Sequence, residues 1–152
     1  MAVLVDIAEA VVATLNGDEF KARAAALGFA FTAARSYRPL FDREEMKDLH
    51  VTVVPGGFTV EALDRRHSQG DYTVEVAVQQ APEPLEPAMD ALMGLVEEIA
   101  AFFTFRRLGT YPQAMCVRTA LAAGCERGYA PEHVDQLRQF TSVLALTFRV
   151  AG

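Results

Sequence analysis

The stretch "LDRRHSQGDYTVEVAVQQ", residues 63–80, sets the densest polar cluster of this 152-residue chain directly against its clearest strand pattern. Its second half alternates polar residues with the apolar series Tyr72, Val74, Val76 and Val78. Such alternation is typical of a strand in a sheet with one buried face. Its first half is polar, and we expect "SQGD", residues 68–71, to turn the chain into this strand.

The residues upstream extend the predicted sheet. "HVTVVPGGFTVEAL", residues 50–63, predicts two short strands joined at Pro55-Gly56, a pair that a type II turn prefers. Together with the alternating strand they predict an antiparallel meander. Residues 29–39 predict a further extended strand, in which one side carries Phe29, Phe31 and Ala33.

Two more strands are predicted in the last third of the chain. In "YPQAMCVRTALAAG", residues 111–124, the expected apolar face carries Met115, Val117 and Leu121. The C-terminal stretch "QFTSVLALTFRV", residues 139–150, alternates again, and its apolar face carries Leu144, Leu146, Phe148 and Val150.

Helical periodicity appears in two main places. Asp6 and Glu9 predict a capping box for a first helix that ends at Asn16-Gly17. Shorter helical stretches are expected in residues 18–28 and 41–50, and from Pro131. The buried face of the first helix would carry Ile7, Val11 and Leu15; the seam of a long helix after Pro87 would carry Met89, Leu92, Val96, Ile99 and Phe103. The sequence therefore predicts one α+β domain, residues 1–152: an antiparallel sheet, made of the meander plus the C-terminal strand, covered mainly on one face by helices, with one long central helix.

The charge and composition of the chain argue against a DNA-wrapping, secreted or membrane-spanning protein. The net charge is −6 and neither half of the chain is basic, which argues against wrapping duplex DNA. No signal peptide, membrane span or disulfide framework is recognisable, so we expect a soluble protein that folds in a cytoplasm. Only Lys21 and Lys47 are lysines, against twelve arginines. Arginine suits protein interfaces, although a GC-rich genome explains the same bias equally well.

Searches for a chemical site find only weak patterns. Ser68 follows His67 but lacks the surroundings of a nucleophile elbow. Cys116, Cys125 and His133 lack the close ligand pairs of a zinc site. Pro55-Gly56-Gly57 lacks the Lys and Ser/Thr of a P-loop. We therefore expect no catalytic, cofactor-binding or metal-binding residues.

The most tempting enzymatic pattern is that of a metal-dependent nuclease. Glu45-Met46-Lys47 supplies a (D/E)-x-K triplet, with Asp42 upstream. That chemistry needs carboxylates from separate elements to share a cation. Here they fall in one short helical stretch, where Asp42 and Glu45 occupy capping positions.

The cluster Arg65-Arg66-His67 allows two interpretations. Asp64 and Asp71 neutralise it, which argues against a nucleic-acid grip. It is either a solvated hairpin end or a protein–protein contact, since arginine is enriched in such contacts.

Several stretches together resemble a known family. They are "IAEAVVATLN", "FTAARSYRPLFDREEMKDLHVTVVP", "RRHSQGDYTVEVAVQQ", "ALMGLVEEIAAFF" and "QFTSVLALTFRV". In order and pattern they resemble the tail terminators and tail-completion proteins encoded among the head–tail joining genes of tailed bacteriophages.

This resemblance implies a structural virion protein without catalytic residues or cofactors. It implies a homo-oligomeric ring, usually a hexamer, that caps the tail tube and joins it to the head connector, made in the host cytoplasm and located in the virion neck. Genome DNA would pass through without specific binding, helped by carboxylates that repel phosphate. The alternatives are another neck or head-closure connector protein, or the small metal-dependent nuclease. The predicted interface lies on the hairpin of residues 60–76, with weaker candidates elsewhere: Arg65, Arg66, His67 and Gln69, then Arg35, Arg38, Arg106 and Arg107.

Overall fold

The computed structural model of the chain describes residues 2–39, 41–42 and 44–151, and it has the predicted α+β architecture. The helices are α1 (Val3–Leu15), α2 (Asp18–Ala26), α3 (Leu85–Phe103) and α4 (Pro131–Leu137), with one 3₁₀ turn at Glu45–Lys47. The strands are β1 (Ala34–Arg35), β2 (His50–Ala62), β3 (Ser68–Gln80), β4 (Arg107–Leu108), β5 (Tyr111–Leu121) and β6 (Phe140–Ala151).

All six strands form one sheet in the order β1-β2-β3-β6-β5-β4. The C-terminal strand β6 lies between β3 and β5 and pairs with β3 from Gln69↔Ala151 to Gln80↔Phe140. All neighbours are antiparallel except β1 and β2, which are parallel. The predicted meander is thus a single β2–β3 hairpin, and β6 supplies the next neighbour.

The core lies between one face of the sheet and the helices α1 and α3. Most of the predicted apolar series is confirmed, and the remaining members, Tyr72, Met89 and Val150, are half-buried against the core. The buried members are the strand residues Val74, Val76, Val78, Leu144, Leu146 and Phe148 and the helix residues Ile7, Val11, Leu15, Leu92, Val96, Ile99 and Phe103. Phe102 is buried too and meets Phe20 of α2 edge to face, with ring centroids 5.0 Å apart. This face, called the helix face below, carries most of the apolar burial that stabilises the domain.

The opposite face of the sheet is covered only near one end. His133 of α4 and Gln139 both contact the hydroxyl of the buried Thr141, each at 2.8 Å. Met46 in the 3₁₀ turn is buried as well, and its carbonyl accepts a hydrogen bond from the Ala81 amide. Helical cover on mainly one face is therefore the observed arrangement.

Pro55-Gly56 does not form the predicted turn, because β2 continues through it as one strand. The register steps from Pro55↔Val74 to Phe58↔Tyr72, so β2 contains one residue more than β3 in this interval, which is a β-bulge. A Cβ on Gly56 would lie 2.7 Å from the Thr73 carbonyl oxygen, so the bulge brings two backbones too close for a side chain.

The hairpin turn lies earlier than predicted, at residues 63–67, and "SQGD" belongs to β3. The Leu63 amide donates to the His67 carbonyl at 2.9 Å. The Asp64 carboxylate accepts from the amides of Arg66 and His67 at 2.7 and 2.9 Å. An Asp that bonds backbone amides two and three residues on makes a turn of its own, which outweighs the turn preference of Ser and Gly.

The buried face of β5 was also predicted wrongly. Ala114 and Cys116 are buried on it, whereas Met115 pairs with Arg149 on the opposite face; Leu121 does lie on the buried face, 36% exposed. A bulge between Cys116 and Arg118 shifts the alternation by one residue, which the period-2 pattern does not anticipate.

Two boundaries differ as well. Helix α1 begins at Val3, so Asp6 lies within its first turn and does not cap it; the Glu9 carboxylate instead binds Arg35. In the segment predicted as a strand over residues 29–39, only Ala34–Arg35 pairs with the sheet.

Candidate assembly interface

The hairpin turn, residues 63–67, presents two cations that have no ion-pair partner among the described residues. Asp64 is occupied by two backbone amides and by the His67 ring, 2.9 Å away, and these contacts lower the pKa of its carboxyl group. Within the described part of the chain, the guanidinium groups of Arg65 and Arg66 make neither an ion pair nor a hydrogen bond. Both side chains are exposed and remain available to another molecule.

The outer half of β2, residues 58–62, is exposed on both faces. Phe58 and Val60 lie on the helix face, but they extend beyond the helices and are 62% and 54% exposed. The Phe58 ring stacks on Tyr72, with centroids 5.5 Å apart and planes at 20°. Tyr72 in turn covers Gly70, where a Cβ would lie 2.6 Å from the ring. The result is an apolar surface of the kind that marks protein–protein contacts.

Both margins of the sheet are only partly covered by the short outer strands. Strand β1 pairs with Thr52 and Val53 alone, and the Ser36 amide adds a bond to the Val53 carbonyl. On the other margin, the cover of β5 ends at Cys116, whose backbone exchanges bonds with Phe105 and Arg106. We call residues 58–62 of β2 the free β2 edge and residues 117–121 of β5 the free β5 edge. Among the described residues, neither has a backbone partner on its outer side.

The weaker interface candidates of the first margin serve internal contacts in part. Arg35 binds Glu9, which raises the pKa of its guanidinium, and lies 5.4 Å from the centroid of the Tyr37 ring. The Arg38 backbone bonds the Ser36 hydroxyl at 2.9 and 3.1 Å, and its side chain is exposed. Gln69, which was predicted together with the hairpin arginines, lies outside the turn as a half-buried member of β3, paired between β2 and β6.

The arginines of the second margin are similarly engaged. Arg106 donates to the Phe102 carbonyl at 2.7 Å, lies 3.8 Å above the Phe102 ring and pairs with Glu19 at 3.5 Å. Arg107 donates to the Pro112 carbonyl at 3.2 Å. The predicted residues therefore lie at three separate places, the hairpin turn and the two opposite margins, and do not form one surface.

Sequence reasoning missed the exposed aromatic and aliphatic residues of this region. Phe105 is 72% exposed and has a φ of 56°, at the helix end where glycine is favoured. Phe58, Val60 and Leu63 were assigned to ordinary sheet positions. A sequence signal for this exposed apolar surface was present. The alternation of apolar residues in β2 continues past the bulge to Phe58 and Val60, beyond the part of the strand that the helices cover.

The residues considered for chemistry have structural partners. The Glu45 carboxylate accepts from the Asp42 amide at 3.1 Å, as the predicted capping positions imply. Burial raises the pKa of the Cys116 thiol to about 11, and Cys125 is buried also. Within residues 2–39, 41–42 and 44–151, no three His, Cys, Asp or Glu side chains are grouped to hold a metal ion.

None of the helices in the described residues is long and apolar enough to cross a membrane. No known family model matches this sequence, and no curated protein sequence matches it either.

Proposed function

We propose that this chain is a structural subunit of a bacteriophage head–tail junction, a tail terminator or tail-completion protein that acts as a ring of identical copies. The observation that carries the proposal is the contrast between a well-packed core and two free strand edges beside an exposed apolar surface. Native domains usually protect such edges, and an assembly subunit is a case in which exposing them serves a purpose. The family resemblance of the sequence supports the same assignment.

The geometry suits a ring subunit for a second reason. The two free edges lie on opposite margins of one sheet, so each copy offers two different surfaces. Two different surfaces that recognise one another join copies head to tail, and such contacts close into a ring when the rotation allows it. The hairpin turn lies at the end of the sheet, and the proposal assigns to it the contact with the tail tube or the head connector.

The charge distribution is compatible with passage of DNA. Helix α3 carries four acidic residues and no basic one: Glu86, Asp90, Glu97 and Glu98. Carboxylates that face a channel would repel phosphate and let the genome slide. We expect the purified protein to bind duplex DNA weakly; tight, salt-sensitive binding would contradict this part of the proposal.

The decisive experiment changes the hairpin turn in the infectious system. Arg65→Glu combined with Arg66→Glu should abolish or strongly reduce joining of tails to heads. The two introduced carboxylates would be repelled by the surface that the arginines contact in the proposed interface. The folded protein should be unaffected, since both side chains are exposed and neither guanidinium makes an ion pair or a hydrogen bond within the described residues. The readout is the fraction of tailed particles in electron micrographs, together with the circular dichroism spectrum of the variant.

A matched control reverses two other exposed cations, Arg127→Glu with Arg138→Glu. It changes the net charge equally and should leave tail joining intact. Normal joining in the Arg65/Arg66 variant would remove the hairpin from the assignment. Magnesium-dependent DNA cleavage that disappears in Glu45→Gln would replace the proposal by a nuclease.

A further inference from the structure

The two free edges of the sheet are equal in length and carry opposite charges on the same face of the sheet. The free β2 edge, residues 58–62, and the free β5 edge, residues 117–121, are five residues each. Glu61 on the first edge and Arg118 on the second are exposed, and neither makes an ion pair within the described residues. Strand pairing within the chain determines the face on which each of them lies.

Both of these charges lie on the face opposite the helices. Glu61 is across from Gln69, one residue away from the helix-face position Val60. Arg118 is across from Thr147, which lies between the buried Leu146 and Phe148. Apolar groups occupy the other face of both edges. Phe58 is 62% exposed, and Leu121, paired with the buried Leu144, is 36% exposed.

We infer that the free β2 edge of one copy pairs antiparallel with the free β5 edge of a second copy, in the register that places Glu61 opposite Arg118. In this register Phe58 lies opposite Leu121 and Val60 opposite Thr119, all on the helix face. Thr59 lies opposite Ala120 on the other face. A shift by one residue would place every pair on conflicting faces, and a shift by two would separate both the charge pair and the apolar pair.

The occupant of these edges is therefore a second copy of this chain. Main-chain hydrogen bonds supply the attraction, and the Glu61–Arg118 ion pair and the Phe58–Leu121 apolar pair fix the register. The inference deepens the proposed ring and rests on it, since it names the surfaces through which copies join.

The register also determines how neighbouring copies are displaced. Within one copy, Arg118 lies directly across from Thr147 of β6. Glu61 lies across from Gln69 of β3, which in turn lies across from Ala151 of β6. Four residues of strand correspond to about 13 Å, so each copy is staggered by about 13 Å along the strands relative to its neighbour. A closed ring accommodates such a stagger when its strands are tilted against the ring axis, as in β-barrels.

A charge-reversal series on the full chain tests this register. Glu61→Arg and Arg118→Glu should each weaken self-association at least about tenfold in sedimentation velocity, because like charges then face each other across the strands. Combining the two changes in one chain should restore association to within about threefold of the parent. Glu97→Arg and Arg127→Glu, which reverse exposed charges away from the edges, are the matched controls and should associate like the parent.

Cross-linking provides a second measurement. Val60→Cys with Thr119→Cys places both thiols on one face in directly opposed positions, which suits a disulfide between copies. Oxidation should give a ladder of linked oligomers on a non-reducing gel, whereas Thr59→Cys with Thr119→Cys should not. The native Cys116 thiol is buried and its pKa is raised to about 11, so it competes little.

The edge pairing would be overturned if both single charge reversals left self-association unchanged. It would also be overturned if the double reversal did not restore self-association. A parent that stays monomeric at millimolar concentration, with no cross-linked ladder, would overturn it too. Neither result decides the proposed role at the head–tail junction, which fails separately if particles assembled without this protein carry normally attached tails.

Discussion

The sheet has an inner half, which the helices cover, and an outer half beyond the bulge of β2, which is exposed to solvent. Apolar side chains alternate in the same way in both halves. In the inner half, Val53 and Val76 face the helices and are fully buried. In the outer half, Phe58 and Val60 point to the same side, yet both are more than half exposed because α1 and α3 do not reach them. The alternation of apolar residues shows which face of a strand is able to be buried. Whether a given residue on that face is buried depends on how far the covering helices extend along the strand.

The largest expected difference between the halves is in packing free energy. Leu146→Ala should lower the free energy of unfolding by about 2–5 kcal/mol, because Leu146 is fully buried under the helices and its removal leaves a cavity. Val60→Ala, on the same face of the outer half, should change it by less than about 0.5 kcal/mol in the monomer. Urea denaturation of the two variants measures both values. Similar losses would mean that the outer half is packed in solution.

The bulge between the halves gives a smaller and more local effect. Gly56→Ala should destabilise the protein by about 1–3 kcal/mol, because the added Cβ meets the Thr73 carbonyl at 2.7 Å. Gly57→Ala is the matched control, since a Cβ there meets nothing within 4 Å. It should be neutral or stabilising by up to about 1 kcal/mol. Thermal unfolding of the pair tests the prediction, and equal midpoints would show that β2 can relax at the bulge.

The smallest expected effect concerns the ion pair of the outer half. Arg149 donates to Asp71 at 2.9 and 3.2 Å and lowers the pKa of its carboxyl group. A lowered pKa in the folded state means that the stabilisation is present above the unfolded pKa of about 3.9 and is lost as the pH falls through the folded value.

Because the pair is largely exposed, Asp71→Asn should cost no more than about 1 kcal/mol at pH 7. The cost should shrink as the pH falls below about 4, because the carboxyl group of the unfolded chain is protonated there and that of the folded protein follows at its lower pKa. Chemical denaturation at pH 7 and pH 3 gives the two differences. A cost that stayed constant between them would assign the effect to lost hydrogen-bond geometry and not to charge.

Sequence reasoning reached the α+β class, the buried faces of α1, α3, β3 and β6, and Pro131 as the start of α4. These depend on period and propensity, which act locally. It failed where a bulge changes the period, at Pro55 and after Cys116, and where Asp64 formed a turn through its own side chain. The interface role of the hairpin arginines stays a prediction, made from their clustering and from the enrichment of arginine at protein contacts. The free edges were not predicted, because whether a strand has an outer neighbour depends on the whole sheet.

The central position of β6 has a consequence for synthesis. Strands β3 and β5 are joined only through β6, so the middle of the sheet cannot form until residues 140–151 have left the ribosome. Until then β3 and β5 each expose a further unpaired side, and most native contacts wait for partners far away in sequence. In the proposed ring, neighbouring copies can therefore pair in the inferred register only after β6 has joined β3 to β5.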